Sequence, residues 1–448
     1  MFDKVLIANR GEIAVRIIRA LQELGVNTLI AYSDVDKDTL AVQLADESVC
    51  IGPGPALQSY LSIPAVVGAA LTRGAQAIHP GYGFMAENAT FARAVADNGL
   101  VFIGPGPNAI ELMGDKNVAR ETMKRIGVPT VPGSEGPLTS ATEALAIAEA
   151  VGYPVVIKAS AGGGGRGMRE VESADAMIDA YAAAKAEALA AFGNDEVYLE
   201  KFVVRPRHIE IQVLADSCGN AIHLGERDCS IQRRHQKLLE ESPSPAVSHE
   251  LRQQMGEAAL AAVRAVGYIN AGTVEFLLSQ DGSFYFMEMN TRIQVEHPVT
   301  EFVTLTDLVK EQIRVAAGLP ISCLDRAGQP PHGHAIEFRI NAEDSEHGFL
   351  PNPGTITGLR LPGGPGVRVD THIYAGYTVP PTYDSLIAKL VVWGSDRAEA
   401  IERGQRALKE FTIDGIKTTI PFHRWVLAQN DFITGDVCTD FISLHGLE

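Results

Sequence analysis

The chain has 448 residues and a formal net charge of −17, with 46% apolar and 21% charged residues. This length accommodates two to four domains with a substantial core, and the composition is ordinary for a globular protein. The acidic charge argues against nucleic acid or an anionic membrane as a partner, because both would repel it, and no apolar run in the sequence approaches the ~18 residues that cross a bilayer.

The cysteines indicate a reducing environment. Their number is odd and none belongs to a Cys-x-x-Cys pair, which favours free thiols over a disulfide scaffold. The N-terminus, MFDKVLIANRGEIAV, enters a strand pattern at once and lacks the basic and long apolar parts of a secretory signal. We therefore expect a cytoplasmic protein. The cysteines are Cys50, Cys218, Cys229, Cys323 and Cys438.

The N-terminal region, 1–114, alternates strands and helices. KVLIA (4–8) and NTLIAYS (27–33) are typical of buried strands, and the segment 10–25 between them has helical apolar spacing that ends at a glycine. Strand, helix and strand with short connections predict a parallel α/β sheet. Two later segments, 75–84 and 101–105, are expected to extend it.

The central region, 115–330, contains many strands and few helices, so we expect α+β character there. Its predicted helices are one that begins at 115 and ends at Gly127 and Pro129, 173–192 and 249–266, and its clearest strands are 153–160, 168–171, 272–279 and 283–290. The remaining region, 331–448, is predicted to hold further strands, beginning with HAIEFRINAED, and a helix at 397–411.

The glycine-rich stretch KASAGGGGRGMREV (158–171) matches the dinucleotide template G-x-G-x-x-G through Gly162, Gly164 and Gly167. In that template the last glycine opens a helix, whereas MREV has the pattern of a strand. The sequence therefore predicts a hairpin whose bare glycines approach phosphates and move as a lid, with Lys158 as a nearby cation. A surface hairpin without a ligand is the alternative.

A polar stripe in FMEMNTRIQVEHP (286–298) is the stronger signal. Alternation along an extended strand would place its carboxylates, amides and guanidinium on one face, over roughly 13 Å, opposite the apolar side chains of Met287, Met289, Ile293 and Val295. An edge strand with its polar face in water is the alternative interpretation. The residues of the stripe are Glu288, Asn290, Arg292, Gln294 and Glu296.

An upstream carboxylate turns this stripe into a candidate metal and anion site. Glu275 lies between apolar neighbours in TVEFLL, where a buried carboxylate needs a partner. With Glu288 and Asn290 it provides the hard oxygen ligands that Mg²⁺ takes beside nucleotide phosphates, which leaves Arg292 at an anion end.

Two other segments repeat the alternation. RHIEIQVLAD places His208, Glu210 and Gln212 on one face, and HAIEFRINAED does the same for Glu337, Arg339 and Asn341. Between them, ERDCSIQRRHQK (226–237) is rich in side chains that bind ligands. Alone it is typical of a solvated loop, but beside two metal carboxylates it is a candidate wall for phosphates and a second anion.

Together these segments resemble the biotin carboxylase family of ATP-grasp enzymes. The resemblance runs from residue 2 to about 415, and its most specific motifs are EMNTRIQVEHP and RDCSIQRRHQK. The matching segments, in family order, are IANRGEIA, HPGYGF, GGGGRGM, ERDCSIQRRHQK, EMNTRIQVEHP, EFRINAED and PPTYDS. The chain departs from the family pattern at Phe202-Val203, at ESPSPA (241–246) and in the C-terminal segment VCTDFISLHGLE.

The resemblance implies a three-part fold: a Rossmann-like domain (1–114), an ATP-grasp domain (115–330) whose glycine-rich lid covers about 131–202, and a β-rich C-terminal domain (331–448). It also implies a function, the carboxylation of biotin with ATP and bicarbonate through carboxyphosphate. The chain lacks a Met-Lys-Met biotinylation site, so biotin is expected on a separate biotin carboxyl carrier protein. A carboxyltransferase is then a further partner, and the family suggests a homodimer.

The resemblance also implies residue roles. For ATP it implies Lys116, Lys158, Gly164, Gly165, Glu200, Lys201, Val203, His208, Gln232, His235 and Leu277. For two Mg²⁺ or Mn²⁺ ions it implies Glu275, Glu288 and Asn290, and for bicarbonate Lys237, Arg292, Gln294 and the Val295 amide. Glu296 would be the base, and Tyr82, Gly83 and Arg339 would meet biotin.

Several functions stay open on the sequence. The expected parent enzyme is acetyl-CoA carboxylase of fatty acid synthesis, which forms malonyl-CoA, although pyruvate and propionyl-CoA carboxylases use the same subunit. Another ATP-grasp ligase, of a purine or carbamoyl-phosphate type, would share the metal carboxylates but would not need HPGYGF or Arg339. A nucleotide-binding regulator would be expected to have lost Glu296, Arg292 or a metal ligand, and all of these are present.

Overall fold

A computed structural model describes residues 1–160 and 168–447, so Gly164 and Gly165 lie outside the described residues. The N-terminal region is a five-stranded, all-parallel sheet in the order β3-β2-β1-β4-β5, with helices on both faces. Its strands are β1 (Lys4–Ile7), β2 (Asn27–Ser33), β3 (Glu47–Gly52), β4 (Ala77–His79) and β5 (Val101–Phe102). Its helices are α1 (Gly11–Glu23), α2 (Leu40–Leu44), α3 (Ile63–Thr72), α4 (Ala89–Asp97) and α5 (Pro107–Gly114).

The local sequence explains this first sheet. Val5, Leu6 and Ile7 are fully buried because helices cover both faces of a parallel sheet, so the strand reads as a continuous apolar run. Helix α1 ends just before Gly25, whose φ of +71° a glycine adopts without strain. Strand β3 escaped prediction because it is a half-exposed edge with little apolar alternation.

A second, three-stranded sheet frames the glycine-rich segment. It has the order β7-β6-β8, and β6 (Val155–Ala159) pairs antiparallel with β7 (Met168–Val171), with Lys158 opposite Met168. The predicted hairpin is therefore confirmed in the two strands that flank residues 161–167. The third strand is β8 (Val197–Lys201), and the helices of this part are α6 (Lys116–Arg125), α7 (Ala141–Val151) and α8 (Met177–Phe192).

The largest element is an eight-stranded antiparallel sheet in the order β13-β12-β9-β10-β11-β14-β21-β19. Helix α9 (His249–Ala265) packs on β9 (Arg207–Ala215) and β10 (Ala221–Arg233), while α12 (Arg397–Glu410) packs on β14 (His334–Asn341) and β21 (Leu386–Gly394). The sheet runs continuously past residue 330, so the predicted central and C-terminal regions share one sheet through the pairing of β11 with β14.

From residue 207 onwards the described part of the chain contains fourteen strands, eight of which form this sheet, and seven α-helices. The strands are β9 (Arg207–Ala215), β10 (Ala221–Arg233), β11 (Gln236–Ser242), β12 (Asn270–Leu278), β13 (Phe284–Asn290), β14 (His334–Asn341), β15 (Glu343–Asp344), β16 (Leu350–Pro351), β17 (Gly354–Thr355), β18 (Gly358–Arg360), β19 (Val367–Thr371), β20 (Thr378–Val379), β21 (Leu386–Gly394) and β22 (Thr412–Asp414). The helices are α9 (His249–Ala265), α10 (His297–Thr304), α11 (Leu308–Ala316), α12 (Arg397–Glu410), α13 (Ile420–Val426), α14 (Asn430–Thr434) and α15 (Phe441–Leu444).

Residues 226–237 form the end of β10, a two-residue turn and the start of β11, and Arg227, Cys229 and Ser230 are buried, which excludes the solvated-loop alternative. One expectation about this sheet was wrong. The polar stripe is not one extended strand, because β13 ends at Asn290 and the chain turns before α10 begins at His297. Among the described residues, no helix is long and apolar enough to cross a membrane.

Candidate active site

A cleft of about 1420 Å³ opens where the three sheets meet. It is lined by residues that the sequence assigned to ATP, metal, bicarbonate and biotin, which therefore converge on one site. These residues are Tyr82, Gly83, Lys116, Lys158, Glu200, Lys201, Val203, His208, Gln232, His235, Lys237, Glu275, Leu277, Glu288, Asn290, Arg292, Gln294, Val295 and Arg339. Glu296 is fully buried just behind this wall.

Lys237 is the electrostatic centre of the site. Its Nζ lies 2.6 Å from Glu210 Oε2, 2.8 Å from Glu275 Oε1 and 2.7 Å from Glu296 Oε1. Burial alone would lower the pKa of Lys237, but the three carboxylates outweigh it and hold that pKa well above its usual value. Lys237 is therefore a fixed cation that joins the predicted metal end of the site to its predicted base.

Glu296 is a buried carboxylate between two cations. Its Oε1 accepts a hydrogen bond from Lys237, and its Oε2 accepts one from Arg339 Nη2 at 2.9 Å. Burial raises the pKa of Glu296, yet Lys237, Arg339 and Arg227 together bring it below the usual range. Glu296 is consequently ionised, as a base must be before it accepts a proton.

The turn after β13 brings the ends of the stripe together, which corrects the expected 13 Å separation. Arg292 donates from Nη2 to Asn290 Oδ1 at 3.0 Å and from Nη1 to Gln294 Oε1 at 2.8 Å, and Gln294 Nε2 reaches Glu275 Oε1 at 2.9 Å. Since Lys237 touches both Glu275 and Glu296, the site is compact rather than linear.

A bulge in β13 corrects a second expectation. The register between β12 and β13 shifts after Glu275, which pairs with Glu288, so Met287 is the extra residue. Met287 was predicted on the apolar face with Met289, but it lines the cleft while Met289 is in the core. Alternation cannot reveal a bulge, because the extra residue breaks the period of two.

The three predicted metal ligands have the donor set that a hard divalent cation requires. Glu275 and Glu288 occupy opposite positions of β12 and β13, and Asn290 adds an amide oxygen two pairs further along. Like charges at opposite positions destabilise a sheet, and here each carboxylate forms an ion pair with a lysine that offsets this repulsion. Lys116 Nζ lies 3.1 Å from Glu288, and Lys237 serves Glu275. These residues therefore fit Mg²⁺ or Mn²⁺.

Further potential ligands lie beside this set. His208 Nε2 is 2.9 Å from Glu275 Oε2. One ligand atom from each of His208, Glu210 and Glu275 falls within 4.8 Å of the other two. The predicted face of β9 thus supplies the groups that surround the metal carboxylates.

At the other end of the cleft, Glu200 accepts hydrogen bonds from both Lys158 and Arg120. Lys201 instead donates from Nζ to the carbonyl oxygens of Gly152 and Tyr153, each at 2.8 Å. Lys158 is therefore held as a cation over the cleft, whereas Lys201 is bound by the backbone.

The turn between β10 and β11 adopts an unusual backbone conformation. Arg234 and His235 have φ of +49° and +65°, and Gln232 and Lys237 pair across the strands beside them. Two-residue hairpin turns of this kind favour asparagine and glycine, so Arg-His is strained there. The turn places Gln232, His235 and Lys237 together on the cleft wall.

Several lining residues were not assigned a role from the sequence. Some lie in IANRGEIA and PPTYDS, segments that carried the resemblance without a stated chemistry; these are Asn9, Arg10, Glu12, Thr382, Tyr383 and Asp384. Arg10 lies 4.1 Å above the Tyr383 ring, and Tyr82 donates to Glu12, so these residues brace the predicted biotin end. Glu87, which pairs with Arg292 at 2.8 Å, was also missed.

The divergent C-terminal segment also reaches the cleft. Thr439 donates its backbone N–H to Pro206 O at 3.0 Å, and the following short helix α15 packs on β10. Thr439, Asp440, Ile442 and Ser443 line the cleft near Val203. The poor match of this segment to the family's usual ending therefore does not remove it from the wall.

Comparison with known families covers most of the chain. The biotin carboxylase N-terminal domain matches residues 1–110, and the ATP-binding domain of the carbamoyl-phosphate synthase L chain matches 115–324. The biotin carboxylase C-terminal domain matches 337–444.

Individual proteins agree over the full length. Biotin carboxylase from Nostoc sp. is 60% identical, with 98% of each chain covered. The crystal structure of a biotin carboxylase–β,γ-ATP complex from Campylobacter jejuni has a TM-score of 0.91 at 48% identity, with 99% of each chain covered.

A second solved structure shows the ligands of a relative. The biotin carboxylase domain dimer of 2-oxoglutarate carboxylase from Hydrogenobacter thermophilus was solved with MgADP, ADP and bicarbonate. It has a TM-score of 0.90 at 49% identity, and the match covers 100% of this chain and 98% of that one.

Proposed function

The chain belongs to the biotin carboxylase family, and we propose that it carboxylates biotin on a separate carrier protein with ATP and bicarbonate. It is an ATP-dependent ligase with an ATP-grasp domain. One observation carries the proposal of how the site works: Lys237 contacts a carboxylate of the metal set, Glu275, and the buried carboxylate Glu296 at once. An ATP phosphate bound at the metal set and the acid–base group Glu296 can thus act on the same small anion, bicarbonate, beside Lys237.

Bicarbonate would bind between Lys237 and Arg292, with Gln294 and the Val295 amide as further donors. Bicarbonate is a weak nucleophile until it loses its proton, and Glu296 is placed to accept it. An anion at Lys237 draws part of that cation's charge away from Glu296. The pKa of Glu296 then rises towards its ordinary value, so binding of the substrate itself makes Glu296 a stronger base.

Lys116, Lys158 and His235 would hold the ATP phosphates, and the cations Lys237 and Arg292 would neutralise charge as the γ-phosphoryl group moves to bicarbonate. Glu275, Glu288 and Asn290 would hold Mg²⁺ or Mn²⁺, which would neutralise charge on the phosphates when bound. The product, carboxyphosphate, breaks down to CO₂ and phosphate. The phosphate removes the ureido proton of biotin, and Arg339 stabilises the oxyanion that forms before CO₂ is captured.

Isotope transfer tests this route. With ¹⁸O-labelled bicarbonate, attack of a bicarbonate oxygen on the γ-phosphorus leaves one labelled oxygen on the released phosphate. Mass spectrometry of that phosphate should show the label only when ATP, bicarbonate and the enzyme are all present. Unlabelled phosphate released during carboxylation would contradict the route.

For the physiological role, we propose the biotin carboxylase subunit of an acetyl-CoA carboxylase, which acts in malonyl-CoA and fatty acid synthesis. The full-length match to free-standing biotin carboxylases supports this choice. A similar domain belongs to a 2-oxoglutarate carboxylase, so acceptors other than acetyl-CoA are included in the test below. We also propose a homodimer, which the dimeric relative supports, and a cytoplasmic location, because all five cysteines are free.

Reconstitution decides the acceptor. The purified chain is combined with the biotin carrier protein and carboxyltransferase of the same organism, and transfer of ¹⁴C from bicarbonate is followed to acetyl-CoA, propionyl-CoA, pyruvate and 2-oxoglutarate. Label in malonyl-CoA alone supports the proposal. Label in another acceptor with none in malonyl-CoA would assign the chain to a different carboxylase.

A further inference from the structure

Two buried carboxyl groups lie behind Arg339 and have no part in the mechanism above. Glu240 in β11 and Glu337 in β14 occupy opposite positions of an antiparallel pair, so their side chains leave the same face of the sheet. Both residues are 0% exposed. Two buried like charges in such neighbouring positions cannot both ionise cheaply, so one of them is expected to keep its proton.

Hydrogen bonding distinguishes the two groups. Glu240 Oε1 accepts from Arg339 Nε at 2.6 Å, while its Oε2 has no hydrogen-bond partner among the described residues. Neither oxygen of Glu337 has such a partner within that same part of the chain. A fully buried carboxylate without a donor is far costlier than the neutral acid. Glu337 is thus the group on which the proton is best placed.

The nearby cations are already engaged. Lys389 Nζ is 3.0 Å from Glu12 Oε1 and donates to Val295 O at 2.8 Å, and Arg339 is divided between Glu240 and Glu296. The titratable and charged groups that face Glu337 are Tyr82 after β4, Glu240 of β11, Glu296 before α10, Arg339 of β14 and Lys389 of β21. Lys389 is in turn surrounded by Glu12 of α1, His297 of α10, and Arg368 and Asp370 of β19. Carboxyl groups outnumber cations in this set.

Electrostatics agree with the geometry. Burial is the largest effect and raises the pKa of Glu337 well above its usual range, against the opposing charge of Lys389. Burial likewise raises the pKa of Glu240 to about 7, against the opposing charge of Arg339.

We propose that Glu337 is a protonated, neutral acid in the working enzyme and acts as a positioning residue for Arg339. Its O–H can donate towards the free Oε2 of Glu240. The guanidinium then balances one carboxylate behind it instead of two, which leaves its charge available to Glu296 and to the oxyanion of biotin. The consequence for catalysis rests on the proposed role of Arg339, but the protonation state does not.

Infrared spectroscopy of the ligand-free enzyme tests the protonation state. A neutral buried carboxyl group has a C=O stretch that ionised carboxylates lack. At about pH 9, where Glu240 with its pKa of about 7 is ionised, the wild-type protein should show such a band, and Glu337→Gln should lose it. Glu241→Gln is the matched control, because Glu241 is the adjacent buried glutamate and its pKa is lowered to about 2: burial opposes the shift, but His334 and Arg397 outweigh it. The control should keep the band.

Stability gives a second readout that needs no substrate. The folded pKa of Glu337 lies above the unfolded value of about 4.3, so the unfolded state releases the proton first. The contribution of Glu337 to stability therefore falls as pH rises above about 4, and Glu337→Gln should gain stability over the wild type increasingly from pH 5 to pH 8. A missing band in the wild type, a band that persists in Glu337→Gln, or a stability difference independent of pH would each overturn the proposal.

A kinetic readout then tests the link to Arg339. Ionisation of Glu337 should weaken Arg339, so the basic limb of the kcat profile of biotin carboxylation should move to higher pH, by about one unit or more, in Glu337→Gln. An unmoved limb would overturn the positioning role. If the protein carboxylates nothing, the proposed function fails, while the infrared and stability results still decide the state of Glu337.

Discussion

Lys237 forms ion pairs with three buried carboxylates, and its removal tests how much this shared cation stabilises the site. In Lys237→Met, Glu210, Glu275 and Glu296 lose their shared cation while they stay buried. Loss of one partner from a buried ion pair costs about 3–5 kcal/mol. Urea unfolding at neutral pH should show a loss of this size, and added Mg²⁺ should restore part of it by binding Glu275.

Lys201→Met is the matched control for that experiment, because Lys201 contacts backbone carbonyls rather than carboxylates. It should gain less stability from Mg²⁺ than Lys237→Met, because Lys237 still neutralises Glu275 in this variant. An equal Mg²⁺ effect in both variants, or none in Lys237→Met, would contradict the account of Lys237 as the counter-ion of the metal set.

Glu296 offers the sharpest test of a single chemical role. Glu296→Gln keeps the shape of the side chain but cannot accept a proton, so kcat for carboxylation should fall by roughly 10²–10⁴-fold, the usual contribution of a general base. The Kd of ATP should change little, because Glu296 lies behind the cleft wall and not on it. Calorimetric titration with ATP checks this, and loss of nucleotide affinity would show a structural role instead.

At the level of single residues, alternation in the sequence predicted much of the site. The faces of β9 and β14 are as expected, with Ile209, Ile211 and Val213 in the core and Glu210 and Arg339 at the site. Glu87 and the C-terminal wall could not be found in this way. Their contacts with Arg292 and Pro206 join segments far apart in the chain, and no local period encodes them.

Among the elements, the clearest difference between expectation and structure is the end of β13. The sequence pattern continues through Glu296, yet the chain turns at 291–296 and α10 begins at His297, followed by Pro298 in the first turn. Proline is well suited to that position and marks the helix start. The turn, which a period of two cannot show, is what brings Gln294 and Glu296 back towards Glu275.

Helix α15 allows a test of the C-terminal wall. Ser443 and Leu444 are adjacent and both exposed, but only Ser443 lines the cleft. In Ser443→Trp the bulky ring should occupy part of the cleft and weaken ATP binding by about tenfold or more, which corresponds to about 1.4 kcal/mol.

Leu444→Trp is the matched control and should bind ATP like the wild type, with both variants equally stable in thermal melts. Fluorescence titration with an ATP analogue measures the two affinities. Equal affinities would place the segment outside the nucleotide site.

In the whole molecule, ion pairs join parts that are distant in sequence. Arg16 of α1 and Arg368 of β19 both bind Glu301 of α10, at 2.9 and 2.6 Å. Burial raises the pKa of Glu301, but the two arginines outweigh it and bring it below its usual range. The N-terminal sheet is thereby fastened to the eight-stranded sheet that carries the site.

These buried groups predict how stability depends on pH. Burial lowers the pKa of His79 and His372 to about 3, below their unfolded value of about 6.5, so their contribution is present above pH 6.5 and is lost as pH falls. Glu301 and Glu241 have lowered pKa values, so their contribution is lost as pH falls below about 4.

Urea unfolding across pH should therefore show stability declining steeply below about pH 4, where Glu240 and Glu337 are protonated in the folded and unfolded states alike and no longer offset the loss. Glu301→Gln should reduce this steep decline. Stability that is constant between pH 6.5 and pH 3 would contradict this assignment of buried charge.

The central claim is that one cleft couples ATP cleavage to bicarbonate and biotin. Phosphate release from Mg-ATP by the purified protein tests it most directly, with bicarbonate and free biotin supplied separately and together. The account predicts release that requires bicarbonate and increases with biotin, and that is lost in Glu296→Gln. No phosphate release with both substrates present, or release equally fast without bicarbonate, would contradict it.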